Sequence, residues 1–402
     1  MKVIFVSNAS SADTLNSYSQ KYNKKPARYV QQWWDYSFAS AMKKQLGEDF
    51  IAISFPPVAT YPSSKCIRHK ERTLTDENGF EIFYPGMCNL PIVKQYSLIS
   101  NIKKRLKQIC KSNPDEEIII LTHCVYMQSA VPSFKIRKKY KNVKVFTIVP
   151  DLPEHATSVA FDKHTLLKLL FKRFVKKNVK LSYGFDGYIC FSKPQMEHLN
   201  KEKPHTVMEG FFDFSMFDGV ECAQQHHNRV VYAGGLMYRY GIRELVDGFI
   251  SANIPEAELY IYGEGEAKEY AKDKEQYRVY YGGCLKRGDM LVEEKGVFLL
   301  VNPRPSDDEY SRCSFPSKLM EYMASGTPTL TTRLGCIGKE YEDKMSYIED
   351  ENADGIAKAL KYCFENREEM LAMGKRAEKY IREEKNVNKQ AKRVLDFLLE
   401  NK

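Results

Sequence analysis

Short apolar runs recur along the chain, each closed by polar residues or glycine, and they alternate with segments whose apolar positions return at helical spacing. The first run is Lys2–Ser7, where Val3-Ile4-Phe5-Val6 gives way to Asn8-Ala9-Ser10-Ser11. An unbroken apolar run of this length suits a strand buried on both faces of a parallel sheet. Further strands are predicted at 50–55, 117–122, 143–149 and 187–191, with helices over Val30–Leu46 and 98–110. The chain turns loop-like around 205–219. A second series then begins, at 230–233, 258–262, 278–281, 297–301 and 329–332, and most of its members lead into a helical stretch. Alternating strands and helices predict a doubly wound α/β architecture. Two series predict two domains, 1–205 and 206–385, followed by a last helical segment, 386–402, long enough to return to the first domain. Ligands of open parallel sheets lie beyond the carboxyl ends of the strands, so a site in a cleft between the two halves is expected.

Composition narrows the class. The 402 residues are 43% hydrophobic and 28% charged, which excludes collagen-like and disordered chains. The longest apolar stretches fall well short of the roughly 18 residues a spanning helix needs. The N-terminal run is shorter than the core of a secretory signal, about 7 to 15 residues, so export is not expected. Ten cysteines are scattered with no Cys-x-x-Cys, which argues against a zinc ribbon or a redox pair and predicts free thiols in a reducing cytoplasm.

The net charge of +9 is concentrated: residues 101–180 hold eighteen Lys or Arg against six Asp or Glu. Such a basic face predicts one anionic surface partner. At about 100° per residue, Leu166, Leu167, Leu170, Phe171, Phe174 and Val175 share one arc of a helix, and Lys168, Lys172, Arg173, Lys176 and Lys180 share the opposite one. Two readings fit this amphipathic segment. Either it lies in an anionic membrane interface, with contacts at Lys168, Lys172, Arg173 and Lys176, or it packs its apolar face on its own domain and leaves the lysines in water. The patch is lysine-dominated and no binding module is present, so no nucleic-acid partner is expected, and a basic nucleic-acid-binding protein is the least favoured reading.

Candidate chemistry is sparse until the C-terminal half. The first strand is not followed by Gly-x-Gly-x-x-Gly, which argues against a dinucleotide-dependent dehydrogenase, and no P-loop, His-Glu-x-x-His or Gly-x-Ser-x-Gly is present. The densest constellation runs from Ser314 to Pro328. Pro316-Ser317 reads as a helix start and Gly326 as its stop. Free N–H groups and the helix dipole at that start favour a phosphate, and Lys318 adds a full charge. Glu321 lies one turn deeper on the same face, where a carboxylate can accept hydrogen bonds from two ribose hydroxyls. Phosphate and ribose together describe a nucleotide-sugar. Asp307-Asp308-Glu309 reads as a solvated loop, not a metal site.

Phe-Pro-Ser-Lys-x-x-Glu-Tyr-x-x-Ser-Gly-x-Pro over 315–328 follows Val231-Tyr232-Ala233-Gly234-Gly235, Tyr240-Gly241-Ile242, Glu244-Leu245 and the 259–265 segment. In this order and spacing, over roughly 229–345, the motifs resemble the retaining family 4 (group 1) glycosyltransferases; the first half is similar only in general pattern. The resemblance implies the GT-B fold, two Rossmann-like doubly wound domains facing across a cleft. It implies a hexosyltransferase-type enzyme with a nucleotide-diphosphate sugar donor in the second half and a glycan or lipid-diphosphate-linked acceptor in the first. It implies neither cofactor nor metal. The same resemblance, with the basic face, suggests cell-surface polysaccharide biosynthesis (capsular, exopolysaccharide or O-antigen) at the cytoplasmic side of the plasma membrane, peripherally attached. Residue by residue, Glu321 matches the ribose ligand, Gly234 and Gly235 the donor-phosphate loop, and Gly283, Phe315, Pro316 and Ser317 further donor contacts. Asp151 falls where family members carry an acidic residue near the acceptor. It is also suited to capping the next helix. Asn8, Ser10 and His123 complete the expected acceptor side, although a lone histidine is more often structural. Asp151, Lys318 and Glu321 form the expected catalytic set. Retention in this family is thought to let the donor phosphate help take the acceptor proton, so no enzymic base is required. Three positions depart from the pattern: Cys313 stands where the first glutamate of Glu-x7-Glu belongs, and Gly235 and Tyr240 stand where the diphosphate-binding Arg and Lys belong. Lys318, Arg239 and Arg304 are predicted to replace those cations. A nucleotide-sugar epimerase on the same fold is the alternative enzyme.

Overall fold

Ten strands belong to the first of two units: β1 (Lys2–Ser7), β2 (Phe50–Ser54), β3 (Arg68–His69), β4 (Arg72–Thr75), β5 (Glu81–Tyr84), β6 (Met87–Cys88), β7 (Ile118–His123), β8 (Val143–Val149), β9 (Gly187–Cys190) and β10 (His205–Val207). Eight of them form one sheet in the order β10-β9-β8-β7-β1-β2-β5-β4, parallel except where β4 runs antiparallel to β5; β3 and β6 pair separately. This unit comprises Met1–Glu209 and Val387–Lys402. The computed structural model describes residues 1–24, 30–155, 165–220 and 225–402, without the side chains of Val30 and 165–171.

The apolar runs explain the central strands. Val3 to Val6, Ile118 to Leu121 and Val145 to Val149 are almost entirely buried, as expected for parallel strands covered by helices on both faces. The Val387–Glu400 helix packs on the Val30–Leu46 helix, and Phe397 meets Phe146 edge-on at 5.9 Å between ring centroids.

The second unit, Gly210–Asn386, holds β11 (His226–Ala233), β12 (Glu258–Tyr262), β13 (Val279–Gly283), β14 (Val297–Asn302), β15 (Thr329–Thr332) and β16 (Ser346–Ile348). All six are parallel in the order β13-β12-β11-β14-β15-β16. Numbered within the unit, that is 3-2-1-4-5-6, the order of a dinucleotide-binding sheet, whose switch point lies between its first and fourth strands. Here those are β11 and β14. In the first unit the same reversal falls between β1 and β7. Each unit is thus a Rossmann-like doubly wound domain of α/β architecture.

Among the described residues no helix is long and apolar enough to cross a membrane. The nine cysteines among them are free thiols. The basic amphipathic segment forms a helix, Thr165–Ser182, in which Lys172, Arg173 and Lys176 are exposed while Phe174 and Val175 are half-buried. The side chains of Lys168, Leu166, Leu167, Leu170 and Phe171 lie outside the described residues.

Candidate functional site

The switch point of the second unit is where β11 ends in Gly234-Gly235 and β14 in Pro303-Arg304. Three strand ends are tied closely there. Gly234 N donates to Tyr262 O at 3.0 Å, and Gly263 N donates to Gly283 O at 2.8 Å. Gly263 has φ +134°, and a Cβ on it would lie 1.8 Å from Gly234 O, so no other residue fits. A Cβ on Gly241, at φ +75°, would lie 2.1 Å from Pro303 O, which brings the loop after β11 against the end of β14.

Two arginines flank one ring at this place. The Arg304 guanidinium lies 4.2 Å from the centroid of Tyr310 and that of Arg239 lies 5.7 Å from it. Arg304 Nε donates to Ser311 Oγ at 2.9 Å and Nη1 to Ser314 O at 3.4 Å, while Arg239 Nη2 donates to Tyr240 Oη at 3.0 Å. Arg304 Nη2 and Arg239 Nε are buried and hydrogen-bond to nothing among the described residues. Cationic N–H groups left in this condition are costly unless an acceptor arrives. Gly235 O is taken by the Tyr232 hydroxyl at 2.8 Å.

The Ser317–Ser325 helix starts after Pro316 with no side-chain cap and ends at Gly326 with φ 78°, as its sequence predicts. Its Tyr322 hydroxyl accepts from Ala233 N at 2.9 Å and lies 3.2 Å from Ala233 O, fastening the helix to the end of β11. Lys318 and Glu321 share one face, and Lys318 Nζ donates to Glu321 Oε1 at 3.2 Å. The other oxygen, Oε2, accepts from Arg287 Nη2 at 3.0 Å. Lys318 also lies 3.7 Å from Glu294 Oε1. Burial opposes ionisation of Glu321, but Lys318 and Arg287 outweigh it and hold the carboxyl below its usual range. Burial likewise opposes the charge on Lys318, yet Glu321 and Glu294 raise its pKa. The charge of Lys318 is therefore engaged by carboxylates, whereas Arg239 and Arg304 keep unsatisfied donors. Phe315 is buried and packs on Tyr341 at 5.7 Å, Ser317 is exposed, and Gly283 closes β13 at φ +77°. Cys313 is buried in the core, and Asp308 caps the short Glu309–Cys313 helix.

The switch point of the first unit holds different groups. His123 ends β7, and its Nδ1 lies in ion-pair contact with Asp35 Oδ1. Asp35 Oδ2 accepts from Asn8 N, just past β1, at 2.6 Å. The imidazole stacks on Trp34 at 4.6 Å and 16°. Both ring nitrogens are buried and have no hydrogen-bond partner among the described residues. The next residue, Cys124, has φ 64°, a conformation that non-glycine residues seldom adopt and that clusters at functional sites. Asp151, exposed after β8, is close enough to Cys124 to help raise its thiol pKa, after burial and Asp35. Ser10 is bonded elsewhere: its Oγ accepts from Tyr84 Oη at 3.0 Å.

The predicted residues thus gather in three places: Gly234, Gly235, Arg239 and Arg304 together; Lys318 with Glu321; and Asn8, His123 and Asp151 together. Sequence reasoning missed Asp35, Trp34, Arg287 and Glu294. Among the described residues no three His, Cys, Asp or Glu gather as metal ligands.

Comparison with known proteins agrees with this organisation. No curated protein matches the chain in sequence. Solved structures match its fold over its whole length. Sucrose-phosphate synthase from Thermosynechococcus elongatus is 15% identical with a TM-score of 0.65, covering 100% of this chain and 99% of that one. HepE of Anabaena, in complex with UDP, is 13% identical with a TM-score of 0.58 and 100% coverage of both chains. A trehalose-6-phosphate structure from E. coli, bound with UDP-2-fluoro glucose, is 9% identical with a TM-score of 0.67, covering 99% of each. Residues 227–366, all within the second unit, match the family model of the glycosyl transferases group 1. Residues 227–366 of the second unit are therefore a glycosyl transferases group 1 domain, on a chain whose fold is that of these solved structures.

Proposed function

We propose that this chain is a retaining family 4 glycosyltransferase that takes a hexosyl group from a nucleotide-diphosphate sugar bound by the second unit and passes it to a glycan or lipid-diphosphate-linked acceptor bound by the first. The observation that carries the reading is the pair of buried, unsatisfied guanidinium N–H groups, on Arg239 and Arg304, at the switch point of the second sheet. They suit a diphosphate, with Gly234 and Gly235 leaving room for it. Glu321 and its neighbours suit the ribose. The bound molecules of the structural neighbours, UDP in one and UDP-2-fluoro glucose in another, support a uridine nucleotide as the first donor to try.

The chemistry follows from the charge layout. As the bond from the sugar to the diphosphate breaks, negative charge grows on the leaving phosphate, and preorganised guanidinium groups stabilise that charge more than the ground state. On the first unit, the buried His123 imidazole beside the Asp35 carboxylate suits a substrate hydroxyl. Neither role calls for a metal or cofactor. We place the reaction in surface-polysaccharide assembly at the cytoplasmic face of the membrane, with the exposed Lys172, Arg173 and Lys176 as anionic-lipid contacts.

A thermal-shift panel against UDP, GDP, ADP and CMP, with Glu321→Ala in parallel, tests the donor reading. One nucleotide should raise the melting temperature of the wild type by mass action and fail to do so in the variant. No shift with any of them would defeat it. Neutralising Lys172, Arg173 and Lys176 together should release the protein from anionic vesicles; unchanged sedimentation would remove the membrane part.

A further inference from the structure

The Val93–Ser112 helix of the first unit buries Leu98, Ile99, Ile102, Leu106, Ile109 and Cys110. At about 100° per residue, Val93, Tyr96, Ser100, Lys103, Lys104, Lys107 and Lys111 fall on the opposite arc. That outward arc changes character along its length: apolar and aromatic in the first turn, lysine in the later ones. Ile92, the residue before the helix, has φ 67° and is 66% exposed, so a β-branched side chain stands in water on a strained backbone. Tyr96 is 59% exposed. Two more exposed apolar residues, Tyr61 and Ile67, lie on a loop fastened to this end of the helix. The buried Asn89 accepts at its carbonyl from Tyr61 N at 3.1 Å and donates its N–H to Ile67 O at 2.6 Å, and Lys94 Nζ donates to Val58 O at 2.6 Å. Exposed apolar side chains gathered in this way mark interaction sites. Their surroundings are basic without exception. Residues 55–70 and 82–114 contain no Asp or Glu, while Lys65, Arg68 and Lys70 lie in the first stretch and six Lys or Arg in the second. The helix also packs on the Met127–Lys139 helix, which adds the exposed Lys135, Lys138 and Lys139.

We infer that the first unit binds an anionic lipid bilayer through this end of the Val93–Ser112 helix: Ile92, Val93 and Tyr96 enter the boundary between headgroups and acyl chains, and Lys103, Lys104, Lys107 and Lys111 meet the lipid phosphates. An anionic bilayer matches both halves of the arc, since it offers apolar depth beside a sheet of negative charge. Tyrosine suits the boundary because its ring is apolar and its hydroxyl stays wet. Lysine stems can lie along the apolar edge while their charges reach the headgroups. A second copy of the chain suits the patch poorly, because a symmetric pairing would set two acid-free basic surfaces face to face. The inference extends the membrane part of the proposed function with an apolar anchor, and it stands whether or not Lys172, Arg173 and Lys176 touch lipid. Salt tells the two components apart. Contacts between exposed charges are screened, whereas burial of apolar side chains is not.

The test is sedimentation of the full chain with vesicles of phosphatidylcholine, with and without phosphatidylglycerol, at about 0.1 and about 0.5 M salt. Three variants accompany the wild type: Ile92→Asn/Val93→Ser/Tyr96→Ser, Lys103→Ser/Lys104→Ser/Lys107→Ser/Lys111→Ser, and Lys172→Ser/Arg173→Ser/Lys176→Ser. Melting temperatures serve as a folding control, and sedimentation velocity without lipid reads the oligomeric state. Wild type should bind the phosphatidylglycerol vesicles. The apolar triple variant should partition at least about ten-fold more weakly at both salt concentrations while melting no lower. The quadruple lysine variant should lose at least about a hundred-fold at the lower salt and much less at the higher. Wild-type binding by both of these, with a loss confined to the Lys172, Arg173 and Lys176 variant, would overturn the inference and leave the membrane part of the proposed function in place. No binding of wild type to either vesicle would overturn both. A wild-type dimer that the apolar triple variant dissociates, with vesicle binding unchanged, would assign the patch to self-association and overturn the lipid reading.

Discussion

The two units solve the same topological problem and end with opposite chemistry. In each, a parallel sheet reverses its strand order, between β1 and β7 in the first and between β11 and β14 in the second. In each, the strand ends at that reversal leave backbone and side chains free to meet a ligand. The first unit places there a carboxylate, an imidazole and an indole: Asp35, His123 and Trp34. The second places two guanidinium groups around Tyr310 and, in a separate cluster, a lysine with two carboxyl groups. One set suits an uncharged hydroxyl-bearing molecule, the other a diphosphate. The comparison teaches that one sheet topology can carry different chemistry at its reversal, set by the strand-end loops together with the helices packed beside them.

The comparison can be broken most severely at its backbone. Gly263→Ala would drive a Cβ into the carbonyl oxygen of Gly234, in a backbone conformation reserved for glycine. It should cost at least about 3 kcal/mol of stability, read by denaturant unfolding, and abolish nucleotide binding. Normal stability in the Gly263→Ala variant would mean that the close contact of β11 and β12 is not needed. A smaller effect is expected from Asp35→Asn, which leaves the size of the side chain unchanged but removes the charge in contact with His123. Turnover should fall about a hundred-fold with nucleotide affinity unchanged. A matched fall in both would erase the division of labour between the units. The smallest effect is that of the exposed basic helix, where each lysine contributes about 1 kcal/mol to binding an anionic surface.

Much of this molecule was legible in the sequence because its central strands are buried on both faces. Lys2–Ser7, Val143–Val149, Glu258–Tyr262 and Thr329–Thr332 are predicted nearly to the residue, and the helix of Lys318 and Glu321 is marked by Pro316 and Gly326 at its ends. What escaped was short or half-wet. β4, Arg72–Thr75, alternates half-buried with exposed residues at a sheet edge, and β16 is three residues long. Neither carries an apolar run. The missed site residues share one signature. Asp35 lies on a stripe with Phe38, Ala39 and Met42, and Glu294 on one with Met290 and Leu291. An acidic residue at a position that the helical period assigns to the core is more informative than charge runs on the surface, because its burial demands a partner. Arg239 and Arg304 were identified from the family's missing cations, but only the fold brings them to one tyrosine ring.

The most direct test of the division between the two units is the affinity for UDP, measured by calorimetry, of Arg239→Ala and Arg304→Lys beside His123→Ala. The charge layout predicts that Arg239→Ala and Arg304→Lys each lose at least about ten-fold in affinity, each having lost a charge-assisted hydrogen bond to phosphate, and that His123→Ala binds UDP as the wild type does. Undiminished binding by both arginine variants, or a loss confined to His123→Ala, would contradict it.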